Sequence, residues 1–181
     1  MKINLKAVVA GLALAAGTAH AGNEGLFWGI NIGEADVTSE KLGVDTTASG
    51  FALQVGHQYN KWLGVEGWLG VYSDEFDSLV RDPLVKQYGL LGRLGWAWEQ
   101  VSLYGLIGYT NTLHAIENVE DNQDGLATGL ELNLFGTPST ALSFSILNQD
   151  RDKDFKTINL GIIHYFGGQN DGYQYRTTTT Q

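Results

Sequence analysis

The stretch "TINLGIIHYFGGQ", residues 157–169, decides how the rest of the chain is read. Its side chains alternate in an extended strand. Ile158, Leu160, Ile162, His164 and Phe166 share one face, and Thr157, Asn159, Gly161, Ile163 and Tyr165 share the other. After Phe166 only a polar tail follows, "GGQNDGYQYRTTTTQ", residues 167–181. An apolar face of this kind must be covered either by a protein core or by hydrocarbon.

The same period of two runs from Leu26 onward. It forms eight segments, near residues 26–37, 48–60, 62–73, 84–98, 101–113, 125–135, 140–149 and 156–166. The connections at 38–47, 74–83, 114–124 and 150–155 are mostly long and polar. Those at 60–61, 99–100 and 136–139 are tight. Alternating long and short connections predict an up-and-down meander with one decorated end and one trimmed end. The composition, 24 Gly against two Pro, with five Trp and eight Tyr, suits long strands better than helices.

What lies on each face chooses the solvent. One face carries Trp28, Ile30, Ile32, Phe51, Leu53, Val55, Leu63, Val65, Leu69, Val71, Tyr88, Leu90, Leu94 and Trp96. It continues through Val101, Leu103, Ile107, Tyr109, Leu130, Leu132, Leu134, Leu142, Phe144, Ile146, Ile158, Leu160 and Ile162. The opposite face is mostly Gly, Ser, Asn and Gln, with three charges near mid-strand: Glu66, Arg93 and Glu131. A soluble secreted ligand-binding barrel would put the apolar set inside and would need no small residues on its wet outer surface. The apolar set is also too large for one small lumen. Small polar residues instead suit the narrow interior of an eight-stranded barrel. Hydrocarbon admits only helices or edge-free barrels, because every backbone polar group must be satisfied internally. The chain is therefore expected to be all-β, an eight-stranded antiparallel up-and-down transmembrane β-barrel. Each segment supplies the ~9–11 residues that a tilted membrane strand requires. Trp28, Tyr59, Trp62, Trp96, Trp98, Tyr165 and Phe166 gather at the short turns, and Tyr72, Tyr88 and Tyr109 toward the long connections. That distribution predicts two interfacial aromatic girdles.

The N-terminus predicts export. Lys2 and Lys6 form a basic region, "AVVAGLALAAG" (residues 7–17) is a short apolar run, and Ala19-His20-Ala21 offers a cleavage point after Ala21. Residues 1–21 are therefore read as a signal peptide, 22–166 as the barrel and 167–181 as a flexible periplasmic tail. Without cysteine the chain has neither a lipoprotein acylation site nor a disulfide framework. Beyond the leader, nine basic residues face 20 acidic ones, which argues against a nucleic-acid partner.

"YNKWLGVEGWLGVY" (residues 59–72), "LYGLIGYTNT" (103–112) and "INLGIIHYF" (158–166) resemble the small outer-membrane β-barrel family that includes the OmpA transmembrane domain and the OmpX/Ail proteins. The resemblance covers nearly all of the mature chain and implies residence in the outer membrane of a Gram-negative bacterium. It implies a monomer with periplasmic termini, in contact with outer-membrane lipids and lipopolysaccharide. It also implies insertion by the barrel-assembly machinery, whose recognition signal in the last strand falls on Asn159, Gly161, His164 and Phe166. Two departures stand out: His164 replaces an apolar residue, and 15 residues follow Phe166.

Chemistry is sparse. Glu66, Arg93 and Glu131 are expected to form a lumenal polar network that plugs the barrel, since unpaired ions inside cost several kcal/mol each; the alternative is a narrow channel for small solutes. "DRDKD" (residues 150–154) places carboxylates at i, i+2 and i+4 but fails the EF-hand pattern, with Phe155 and Gly161 where Gly and Glu are required. No metal or cofactor is expected. Some small outer-membrane barrels are lipid A-modifying enzymes that use His and Ser. Here, however, His57 and His164 lie at the short-turn end, far from Ser73 and Asp74. That leaves His114, beside Asn111, Thr112 and Glu117, as the one candidate base, so no enzyme is expected. Asp74, Glu75, Asp77, Asp82, Glu117, Glu120, Asp121 and Asp124 make the long-loop end anionic. A structural, envelope-stabilising or surface-interaction role through acidic extracellular loops is the expected function.

Overall fold

The computed structural model describes residues 24–39, 44–73, 85–98, 100–116, 119–150 and 155–166. The proposed leader, its cleavage site, the tail, His20, Asp74, Glu75, Asp77, Asp82, Glu117 and residues 151–154 all lie outside them. Eight strands follow one another: β1 Gly25–Ser39, β2 Val44–Gln58, β3 Leu63–Ser73, β4 Val85–Ala97, β5 Val101–Ile116, β6 Val119–Thr137, β7 Thr140–Asp150 and β8 Phe155–Tyr165. Each pairs antiparallel with its sequence neighbours, and β8 returns to β1 to close the barrel. Closure seats Ile30 opposite Ile162 and Asn31 opposite Gly161. No edge strand is left within the barrel wall, which is what hydrocarbon requires.

The alternation sets the two surfaces. Ile32, Leu53, Leu69, Leu94, Ile107, Leu130, Leu142 and Ile162 point outward and are exposed, while Asn31, Gln54, Glu66, Arg93, Glu131 and Asn159 are buried inside. At the short-turn end Trp28, Tyr59, Trp62, Trp98 and Phe166 are exposed, and Tyr88 and Tyr109 are exposed toward the other end. Two aromatics expected in these girdles are elsewhere: Tyr72 and Tyr165 point into the lumen and are buried. Strand phase accounts for both, since Tyr72 has the parity of inward Glu66 and Tyr165 that of inward Asn159.

Two connections expected as long loops are largely strand. The β1–β2 ladder runs on to Ser39 opposite Val44, and the β5–β6 ladder to Ile116 opposite Val119. Backbone pairing needs no apolar alternation, so polar residues can extend the hairpins beyond the lipid-facing band. The short turns are held locally. Asn60 Oδ1 accepts from the N–H groups of Trp62 (2.9 Å) and Leu63 (3.0 Å), and Thr137 Oγ1 accepts from Thr140 N–H (3.0 Å) beside a register shift between Phe135 and Thr137.

The lumen is less polar than the glycine–serine–asparagine pattern predicts. Three apolar clusters fill it around the charged centre. Ala35, Ala48, Tyr72, Val85 and Phe155 lie toward the long-connection end; Phe27, Phe135, Ala141, Ile163 and Tyr165 lie toward the short turns. Leu91, Tyr104, Leu106, Ala127 and Leu147 line the wall from β4 to β7.

Candidate functional site: the lumenal charge cluster

Register brings the three lumenal charges to one level. On β3, Glu66 stands opposite Gly56 and Leu91; on β4, Arg93 stands opposite Gly64 and Leu106; on β6, Glu131 stands opposite Tyr104 and Ser145. Gly56 is required there by space, because a Cβ at that position would strike the Phe27 ring and the Val65 carbonyl. All three charged side chains are wholly buried.

Arg93 is the hub. Its Nη2 donates to Glu131 Oε1 and, at 3.2 Å, to the Tyr165 hydroxyl. Its Nε lies 3.5 Å from Glu66 Oε2. The guanidinium plane is gripped by two rings, with its central carbon 4.4 Å from the Phe27 centroid and 4.3 Å from that of Tyr104. Glu131 also accepts from Asn133 Nδ2 at 2.6 Å and Gln54 Nε2 at 3.3 Å, while Gln54 Oε1 accepts from Asn31 Nδ2 at 2.8 Å. The cluster therefore ties β1, β2, β3, β4, β5, β6 and β8 together across the lumen.

The two carboxylates are unequal. Glu131 is fully engaged, whereas neither oxygen of Glu66 meets a hydrogen-bond donor among the described residues and its one tie is the Arg93 ion pair. A second belt lies nearer the long connections. There the Tyr72 hydroxyl donates to Asn159 Oδ1 (3.2 Å), and Trp68 Nε1 to Gln87 Oε1 (3.1 Å). Thr110 and Thr112 both donate to Gln149 Oε1 (3.0 and 2.7 Å). Phe27, Tyr165 and Trp68 also line the lumen; no motif marks them, and the phase of their strands is the signal the sequence holds.

The four last-strand positions are not brought together as a site. Asn159 and Gly161 face the lumen, and a Cβ on Gly161 would meet the Ile30 carbonyl and the Asn31 side chain. His164 faces outward, its Nδ1 2.9 Å from Thr140 Oγ1 and its ring edge-on to Phe166 at 5.2 Å. Phe166 is 66% exposed, and its N–H donates to the Leu26 carbonyl at 2.8 Å. The His57 ring packs at a tilt against that of Tyr59, centroids 4.8 Å apart, at the short-turn end of β2, while Ser73 closes the far end of β3. The side chain of His114 lies outside the described residues. Among the described residues, no three His, Cys, Asp or Glu side chains form a group able to hold a metal.

The family described as outer membrane protein beta-barrel domain matches residues 7–179. No curated protein sequence matches the chain. Solved barrels do. Ail, the attachment invasion locus protein of Yersinia pestis, superposes with a TM-score of 0.54 at 24% identity, over 81% of this chain and 100% of that one. The N-terminal β-barrel domain of Pseudomonas aeruginosa OprF gives a TM-score of 0.57 at 13% identity, over 81% and 100%. The outer membrane protein OprG of the same species gives 0.54 at 14% identity, over 81% and 99%. At these identities the likeness is one of fold.

Proposed function

This chain belongs to the outer membrane protein β-barrel domain family and resides in the outer membrane; on that premise we propose that it is a sealed, non-enzymatic barrel. Its role is to stabilise the envelope and to present acidic hairpins and loops at the cell surface. The observation that carries the reading is the filled lumen. Arg93, clamped by Phe27, Tyr104, Tyr165, Glu131 and Glu66, occupies the centre, and apolar clusters close the space on either side. Eight strands leave room for side chains and little else. In this reading Glu66, Arg93 and Glu131 are a structural plug rather than a gate.

In the usual orientation of such barrels, short turns face the periplasm and longer loops the exterior. The extended β1–β2 and β5–β6 hairpins then stand outside, with Asp124 fixed by the Tyr109 hydroxyl at the base of the second. The barrel inserts as a monomer among lipids and lipopolysaccharide, with Asn159, Gly161, His164 and Phe166 as its signal to the assembly machinery. The test is reconstitution into planar bilayers, with detergent and chelator sensitivity measured in cells with and without the gene. The expected outcome is no discrete conductance, together with raised sensitivity in the deletion strain. Stepwise conductance from the intact barrel would replace the plug by a channel.

A further inference from the structure

A cation and two indoles meet on the outer surface at the short-turn rim, away from the lumen. The β2–β3 turn carries Lys61 and Trp62, and β4 brings Trp96 alongside, tied by a hydrogen bond from Gly95 N–H to the Trp62 carbonyl at 2.9 Å. The indoles pack edge-to-face with centroids 4.0 Å apart at 76°. The Lys61 ammonium stands 4.5 Å from the Trp96 ring centre and 5.4 Å from that of Trp62.

Three features give this cluster a ligand chemistry. First, the ammonium is positioned but not neutralised: among the described residues the ion pairs are those of Arg93, and Lys61 has no carboxylate partner. Ring faces take up none of its three N–H donors in conventional hydrogen bonds. Second, Lys61 is the only side-chain cation at this rim among the described residues. Lys86 and Lys156 lie toward the opposite end and Arg93 is inside. Third, the strand surface running away from the cluster is apolar, with Leu63 and Leu94 paired in register and 43% and 55% exposed. A preorganised cation beside two indoles, Trp62 exposed and Trp96 half-buried, above a leucine track, matches a molecule with an anionic head and two acyl tails.

We propose that Lys61, Trp62 and Trp96 form a phospholipid site that holds the phosphodiester of one lipid, with its chains along Leu63 and Leu94. The phosphate accepts from the Lys61 ammonium, whose long side chain the indoles already restrain, so little further entropy is lost on binding. An anionic head group is favoured over a zwitterionic one, because the ammonium of the latter opposes Lys61. The proposal rests on the membrane placement given above, which fixes the leaflet supplying the lipid. Binding to the purified barrel does not depend on orientation, so the two readings can fail separately.

The experiment is native mass spectrometry of the full barrel released from micelles containing phosphatidylglycerol, phosphatidylethanolamine or diacylglycerol at equal mole fraction. The expected result is retention of one lipid in the order phosphatidylglycerol, phosphatidylethanolamine, then diacylglycerol. Lys61→Gln lowers phosphatidylglycerol retention roughly tenfold, Lys61→Arg preserves it, and Lys86→Gln leaves it unchanged. Trp96→Leu provides a second variant that weakens retention with the charge intact, and heat-shifted gel migration certifies that each variant is folded. Equal retention of diacylglycerol would overturn the proposal. So would wild-type retention by folded Lys61→Gln, or a loss in Lys86→Gln matching that in Lys61→Gln.

Discussion

Removing the guanidinium from the lumen should cost more than removing either carboxylate, and the two carboxylates should not cost the same. Arg93→Leu leaves Glu66 and Glu131 buried with no cation between them. Breaking a buried ion pair from one side typically costs about 3–5 kcal/mol, because the remaining charge stays desolvated. The lost stacking on Phe27 and Tyr104 adds to that. Glu131→Gln removes the charge and replaces one of the two acceptor oxygens that serve Arg93, Asn133 and Gln54 by an N–H donor, but leaves Glu66 3.5 Å from the guanidinium, so about 2–4 kcal/mol is expected. Glu66→Gln removes a carboxylate with no hydrogen-bond donor and leaves one guanidinium facing one carboxylate, so its cost should be about 0–1 kcal/mol. The triple variant Arg93→Leu, Glu66→Gln, Glu131→Gln should recover much of the single-variant loss, since the charges act as one unit. Urea unfolding of vesicle-embedded barrels, followed by tryptophan emission, measures the series, with conductance recorded in parallel. A larger loss from Glu66→Gln than from Glu131→Gln would refute the hub assignment. So would Arg93→Leu within about 1 kcal/mol of wild type.

Two further outcomes test the wall. Gly161→Ala places a methyl against the Ile30 carbonyl and the Asn31 side chain and should lose about 1–3 kcal/mol. Gly67→Ala, where the nearest atom is the Val55 carbonyl oxygen at 3.7 Å, should stay within about 0.5 kcal/mol by the same unfolding measurement. Ile162→Lys, on the outward face and 57% exposed, should destabilise the vesicle-embedded barrel by about 2–4 kcal/mol. Thr47→Lys, outward beyond the apolar band, should cost no more than about 1 kcal/mol, and equal effects at the two sites would contradict the lipid-facing assignment.

Period two made the wall legible. A strand has only two faces, so Ile158, Leu160 and Ile162 on one side fix Asn159 and Gly161 on the other. Aromatics cluster near strand ends, which predicts girdle positions for Tyr72 and Tyr165, but parity places both inside. The hairpin extensions to Ser39 and Ile116 carry no such signal, since polar residues pair through backbone groups whatever their side chains. Contacts across the lumen are also unreadable from the chain. Gln54 reaches Glu131 and Tyr72 reaches Asn159 because of barrel closure and stagger, which no local pattern encodes.

The glycine content follows from the same geometry. Acyl chains are about as apolar as leucine, so the outward face supplies no strong preference for one packing over another. Specificity has to come from the lumen, where long side chains need room on a neighbouring strand. Gln54 lies over Gly29, Phe27 over Gly56, Gln58 over Gly64 and Asn31 over Gly161. Each of these glycines is a notch cut for a particular knob: Phe27 stacks on Arg93, Gln54 donates to Glu131 and accepts from Asn31, and Gln58 donates to the Asn60 carbonyl. On the function proposed above, the lumen serves to hold the barrel shut, which would leave chemistry directed at other molecules to surfaces the lumen does not use: the hairpins beyond the band and the indole-backed lysine at the short-turn rim.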